Sequence, residues 1–173
     1  MKVLIAENAI NSDEIELEQM QLDTPEIQSM DVREIAAFSA KWAADKIGKP
    51  VVVEDNSLWI ESLNGFPASF VAYVDRTIGE EGILKLMKNK ENRAAKFVMA
   101  AAYCEPDGEP MVEADELKGV ITTELHGSYG RFADFFFIPE GYEKTMGCFP
   151  DEERKLIWPH GLWKRLAKKI LLK

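Results

Sequence analysis

The sequence predicts a single α/β domain over residues 1–173, with a long, partly antiparallel sheet and flanking helices. Three observations carry that prediction. Apolar and β-branched runs (VVVED, KFVMAAAYC, FFFIP) alternate along the chain with stretches of helical spacing. Two strong turn signals, Asn64-Gly65 and Pro106-Asp107-Gly108, sit between strand-like runs. Hydrophobic residues make up 46% and charged residues 29% of the 173 positions, which suits one packed core and not a disordered chain.

The elements follow in order. KVLIA at the start reads as a buried strand, too short for a signal peptide, and EIELEQMQL alternates as a half-exposed strand does. TPEIQSM is a loop. Asp31 is placed as an N-cap, with Glu34 completing a capping box. Ile35, Phe38, Ala40, Trp42, Ala43 and Ile47 then form the apolar face of a helix ended by Gly48 and Pro50. PVVVED is a strand stopping in two carboxylates, SLWIESL a second strand, and Asn64-Gly65 its turn. IGEEGILKLMKN carries helical spacing through Ile83, Leu84 and Leu86 or Met87. Two strands flank Pro106-Asp107-Gly108, and a third follows Gly119. FFFIPEGY is a buried strand stopped by Pro139, and a polar loop leads to a C-terminal helix from about Gly161.

Composition narrows the function classes. The longest apolar run, Phe97–Cys104, falls far short of the about 20 residues a membrane span needs. Two cysteines make no disulfide framework, which points to a reducing, cytoplasmic setting. With 21 Lys and Arg against 30 Asp and Glu, the net charge of −9 argues against nucleic acid as a partner. The charge is uneven. Arg154, Lys155, Lys164, Arg165, Lys168, Lys169 and Lys173 gather at the C-terminal end with no acid among them. That pattern suits either a phosphate site or a solvated amphipathic helix with Leu162, Leu166 and Ile170 packed inward.

Glu54 and Asp55 close a run of three valines. Charge at the end of a buried strand is costly unless a cation or water offsets it. A hard ion such as Mg²⁺ takes one or two carboxylates together with phosphate oxygens. A plain strand cap meeting solvent at Asn56 explains the pair equally well by spacing alone.

Longer segments discriminate further. The stretch KPVVVEDNSLWIESLNGFPASFVAYVDRTIGEEGILKLM resembles the inosine triphosphate pyrophosphatase family, whose members read VED(S/T)GL, then LNGFPG, then a TIG-containing helix. LDTPEIQSMDVREIAAFSAKWA, NRAAKFVMAAAYCEPDGEP and SYGRFADFFFIPEGYEKT are similar to further family segments, in the same order. The resemblance implies an elongated fold with two lobes around a central cleft, usually homodimeric. It also implies hydrolysis of non-canonical purine nucleoside triphosphates, such as ITP or XTP, to the monophosphate and pyrophosphate with Mg²⁺. Carried over, Asp55 helps hold the metal and activates water, Glu26 shares the metal, Asn56 replaces the family's Ser or Thr, and Asp134 reads the purine edge.

The chain also departs from the pattern. Asn8 is kept in the opening phosphate loop, but Glu7 and Asn11 replace Thr and Lys, and the first helix is shortened or absent. Where the family reads EEKN-x-ISHRG, this chain has EERKLIWPHG. Arg154 then stands for the Lys, with Lys155 and His160 as further phosphate ligands at the start of the last helix. Arg131 replaces the aromatic ring that stacks on the base, and Phe132 restores stacking if the loop shifts. Two function readings result. One is an active triphosphate pyrophosphatase; the other is a weak or inactive relative that binds a nucleotide or a protein partner.

Overall fold

The structure, a computed structural model, describes residue 15 and residues 17–172. Its elements are α1 (Val32–Ile47), β1 (Val51–Ile60), β2 (Pro67–Ala68), α2 (Val71–Thr77), α3 (Gly79–Leu86), β3 (Ala94–Cys104), β4 (Met111–Ile121), β5 (Phe137–Pro139), α4 (Asp151–Ile157) and α5 (Gly161–Leu171). The five strands form one sheet in the order β2-β1-β3-β4-β5. The edge pairs β1/β2 and β4/β5 are antiparallel, with Leu58 opposite Ala68 and Gly119 opposite Pro139. The mixed α/β class read from the sequence is therefore the observed one. None of the described helices is long and apolar enough to cross a membrane.

The chain divides into two compact units. One comprises residues 1–56, 99–115 and 160–173; the other comprises 57–98 and 116–159. In the first, Asp31 caps α1 by accepting from the Arg33 N–H at 2.9 Å. The expected capping box does not form. Ser29 Oγ donates to Glu34 at 2.7 Å and accepts from the Asp31 N–H at 3.0 Å, so the hydroxyl does what the Glu34 carboxylate would have done. The buried face of α1 is Val32, Ala36, Ser39, Ala40, Ala43 and Ala44, not the larger Phe38, which is exposed. Small side chains let a helix approach its neighbour closely. At the far end Lys41 Nζ donates to the Gly108 carbonyl at 3.2 Å, and Asp45 accepts from the Asp107 N–H at 2.8 Å. These bonds fasten α1 to the Pro106-Asp107-Gly108 turn, which the sequence anticipates between β3 and β4.

The same unit holds α5, where Leu162, Trp163, Leu166 and Ala167 are buried. Two of its cations, Arg165 and Lys169, face β4. Arg165 pairs with Glu113 at 2.7 Å and Asp115 at 2.7 Å, and Lys169 with Glu113 at 2.5 Å. Burial pushes the Glu113 carboxyl up, but the two cations outweigh it and hold the group below its ordinary value.

The second unit contains a core of Leu58, Ile60, Ile83, Met87, Phe97, Ile121, Phe136, Phe137 and Met146, all essentially buried. Met87, not Leu86, completes the helical face of α3: Met87 is 0% and Leu86 46% exposed. Aromatic edges lock it, with Phe97 meeting Phe137 and Trp158 at ring centroids 5.0 and 5.1 Å apart.

Several sequence expectations change. Residues 17–30 carry no regular structure, so the alternating EIELEQMQL segment is not a strand there; alternation alone cannot form a ladder without a partner backbone. VVVED and SLWI are one strand, β1, because the backbone ladder continues through the acids, whose side chains are half-buried and alternate between the two faces of the sheet. Residues 71–77, to which the sequence assigns no element, and 151–157, within the polar loop expected before the last helix, are both helices. The third strand expected after Gly119 is the end of β4, which runs unbroken through that glycine. A Cβ at 119 would stand 2.2 Å from the Ile138 carbonyl, so only glycine admits β5 there. Gly119→Ala is expected to cost about 1–3 kcal/mol in urea unfolding, the scale of an overpacked site. The opening strand and Asn8 lie outside the described residues.

Candidate active site

Asp55 lies in mid-β1, half-buried, and its Oδ1 accepts from the N–H of Asn56 at 2.7 Å. That bond fixes one carboxylate oxygen from the chain's own backbone. Asn56 is likewise half-buried on β1. Glu26 is exposed in the irregular segment ahead of α1. Among the described residues, no group of three or more His, Cys, Asp or Glu is placed to hold a metal alone. The carboxylates of Asp55 and Glu26 are hard oxygen donors, the type Mg²⁺ takes together with water and phosphate oxygens.

Three of the expected residues converge in the second unit. The loop carrying them is pinned from beneath. The N–H groups of Ser128 and Tyr129 donate to the Gly147 carbonyl at 2.9 and 3.0 Å, and Thr145 Oγ1 donates to the His126 carbonyl at 2.9 Å. A tight turn over Phe132–Phe135 follows, with Phe132 at φ 45°, a left-handed conformation rare for an aromatic residue. Phe132 is 4% exposed and meets Phe136 edge-on at 5.2 Å. It belongs to the core and does not restore a stacking ring. Arg131 is exposed, and its N–H donates to Asp134 Oδ2 at 2.9 Å.

Arg154 reaches the same carboxylate from α4. Its Nη1 is 3.8 Å from Asp134 Oδ2, while its Nη2 donates to Asp151 Oδ1 at 2.6 Å. The Arg154 side chain is only 6% exposed, and Nη1 has no hydrogen-bond partner among the described residues. Burial pushes the Asp134 carboxyl above its ordinary value, against the Arg131 N–H and the Arg154 charge. A donor and an acceptor, both desolvated, therefore sit side by side.

The other tail residues are engaged differently. Lys155 is paired along its own helix with Glu152 at 2.8 Å. His160 stands at the N-cap of α5, half-buried, and makes no side-chain cap bond. One first-turn amide of α5 is taken, since the Leu162 N–H donates to Asp115 Oδ2 at 2.6 Å. At that amide the chain supplies its own carboxylate. Asp151 and Gly130 escaped the sequence reading. The i,i+3 spacing of Asp151 and Arg154 was the signal that could have found the first.

A profile of the Ham1 family matches residues 1–160. The dITP/XTP pyrophosphatase of Methanopyrus kandleri is 48% identical over 140 residues, covering 81% of this chain and 74% of that protein. That of Thermococcus kodakarensis is 40% identical over 147 residues, covering 85% and 79%. Among solved structures, the Staphylococcus aureus Ham1 protein superposes with a TM-score of 0.76 at 27% identity, over 87% of this chain and 80% of that one. A HAM1 protein from Coxiella burnetii reaches 0.83 at 22% identity over 99% and 94%, which speaks to the fold. The resemblance carried by the VED, LNGFP and FIPEGY segments is borne out: the chain belongs to the Ham1 family.

Proposed function

We propose that this protein hydrolyses non-canonical purine nucleoside triphosphates, of the dITP and XTP kind its relatives are named for, to the monophosphate and pyrophosphate. The observation that carries the reading is the buried Asp134–Arg154 pair, 3.8 Å apart, with Arg154 Nη1 unpartnered. A 6-oxopurine presents an acceptor, O6, beside a donor, N1–H. Arg154 Nη1 meets the first and the Asp134 carboxylate the second. Adenine presents the reverse order and leaves both protein groups unsatisfied, the situation that discriminates most strongly in a desolvated site. Arg131, exposed beside them, offers a guanidinium plane to the base.

Asp55 is the base in this reading. Water attacks phosphorus, its proton passes to the Asp55 carboxylate, and the α–β bridging bond breaks to release pyrophosphate. The Asn56 N–H holds Asp55 Oδ1 and so orients the carboxylate. Glu26 and Asp55 are the residues to hold Mg²⁺, which when bound neutralises the triphosphate and polarises the phosphorus. Lys155 and His160 are the remaining candidates for phosphate contact, Lys155 on release from Glu152, and Asn8, carried over from the family's opening loop, lies outside the described residues. Analysis of products from dITP tests the reaction type: deoxyinosine monophosphate and pyrophosphate are expected, whereas the diphosphate with inorganic phosphate contradicts it.

The reading includes a homodimer in the cytoplasm. Phe66, Phe70 and Tyr73 are 36%, 38% and 65% exposed around β2 and α2, an apolar group suited to a second copy. Light scattering at micromolar concentration is expected to give twice the mass of the chain, and Phe70→Glu with Tyr73→Glu to give the monomer. A wild-type monomer overturns this part.

A further inference from the structure

Two carboxylates compete for the Arg154 guanidinium. Asp151 is 63% exposed and Asp134 19%, so attraction per unit distance is stronger toward the more buried Asp134. The observed geometry is the opposite. Asp151 Oδ1 holds Nη2 at 2.6 Å, one turn along α4, and Nη1 stops 3.8 Å from Asp134, outside hydrogen-bonding range. Arginine's rigid fork permits this division: one nitrogen is tied while the other stays buried without a hydrogen-bond partner among the described residues. A lysine in the same place has a single ammonium head and no second nitrogen to aim. Gly130, at φ +82°, leaves the necessary space. A Cβ there would come within 2.3 Å of Arg154 Nη1 and 2.0 Å of Asp134 Oδ2.

We infer that Asp151 is a positioning residue that tethers Arg154, so that its Nη1 and the Asp134 carboxylate remain apart and both face the 6-oxo, N1–H edge of a purine. The inference rests on the base-reading role proposed above for Asp134 and Arg154. Without the tether, less than an ångström of guanidinium movement closes the Asp134–Arg154 contact into a direct ion pair. Donor and acceptor are then spent on each other, and the ligand loses both.

Calorimetric titration with inosine and adenosine monophosphates tests this on wild type, Asp151→Asn, Asp151→Glu and Glu153→Gln. Wild type is expected to favour the inosine nucleotide. Asp151→Asn weakens inosine monophosphate about tenfold, the scale of a charge-assisted hydrogen bond, and leaves adenosine monophosphate unchanged. Asp151→Glu restores part of the preference. Glu153→Gln removes an equal charge from the same exposed turn and keeps the wild-type ratio. In turnover, Asp151→Asn raises KM for ITP and keeps kcat, because the lost contacts are made equally in ground and transition states. Equal preference in wild type and Asp151→Asn overturns the inference alone, as does equal weakening of both nucleotides. No preference in wild type overturns the base-reading role, and this inference with it.

Discussion

Asp55→Asn is expected to lower pyrophosphate release by two to four powers of ten while leaving the unfolding midpoint nearly unchanged. The amide oxygen still accepts from the Asn56 N–H, so the local bond at 2.7 Å survives the substitution. What is lost is the full negative charge toward Mg²⁺ and the ability to take a proton from water. Fold and chemistry therefore separate cleanly at this position. Steady-state turnover with circular dichroism on the same samples checks it; wild-type turnover in the variant removes Asp55 from the reaction.

Arg154→Met should act on both stability and binding. The guanidinium is 6% exposed between two carboxylates, and its removal leaves Asp134 buried with only the Arg131 N–H for compensation. Breaking a buried pair from one side costs about 3–5 kcal/mol. Urea unfolding is expected to show a loss of that order, and Asp134→Asn added to Arg154→Met should recover part of it by removing the stranded charge. A loss below about 1 kcal/mol, or a double variant less stable than the single one, contradicts the assignment of the pair as a desolvated unit.

Much of the fold was legible because its signals are local. The Asp31 cap, the Gly48 stop and the Pro106-Asp107-Gly108 turn each depend on the few residues around them. The errors came where a distant partner decided the outcome. EIELEQMQL alternates as a strand but has no regular structure over its described residues, while the acids of VVVED fail to end β1 because the ladder carries the backbone through. Gly119 reads as a break in sequence, yet it lies inside β4, opposite Pro139 of β5, where a Cβ would meet the Ile138 carbonyl.

The candidate site divides in the same way. Asp55, Asp134 and Arg154 were singled out through motif position, Arg154 as a phosphate ligand and not as a base reader, and the sequence could not show that Arg154 is buried or that its fork is shared between two acids. It also suggested an anion site at the start of α5. That amide belongs to Asp115, a residue of β4, which no local pattern links to Leu162. Phe132 was a stacking candidate by its type and place; the left-handed turn at 132 sends it into the core instead.

The most direct measurement is pyrophosphate release from ITP, XTP and ATP at equal concentration with Mg²⁺. The buried donor–acceptor pair predicts kcat/KM for ITP and XTP above that for ATP by about 100-fold or more, the scale of two unmet charge-assisted contacts. Turnover of none of the three above a buffer blank, or of ATP as readily as of ITP, contradicts the account.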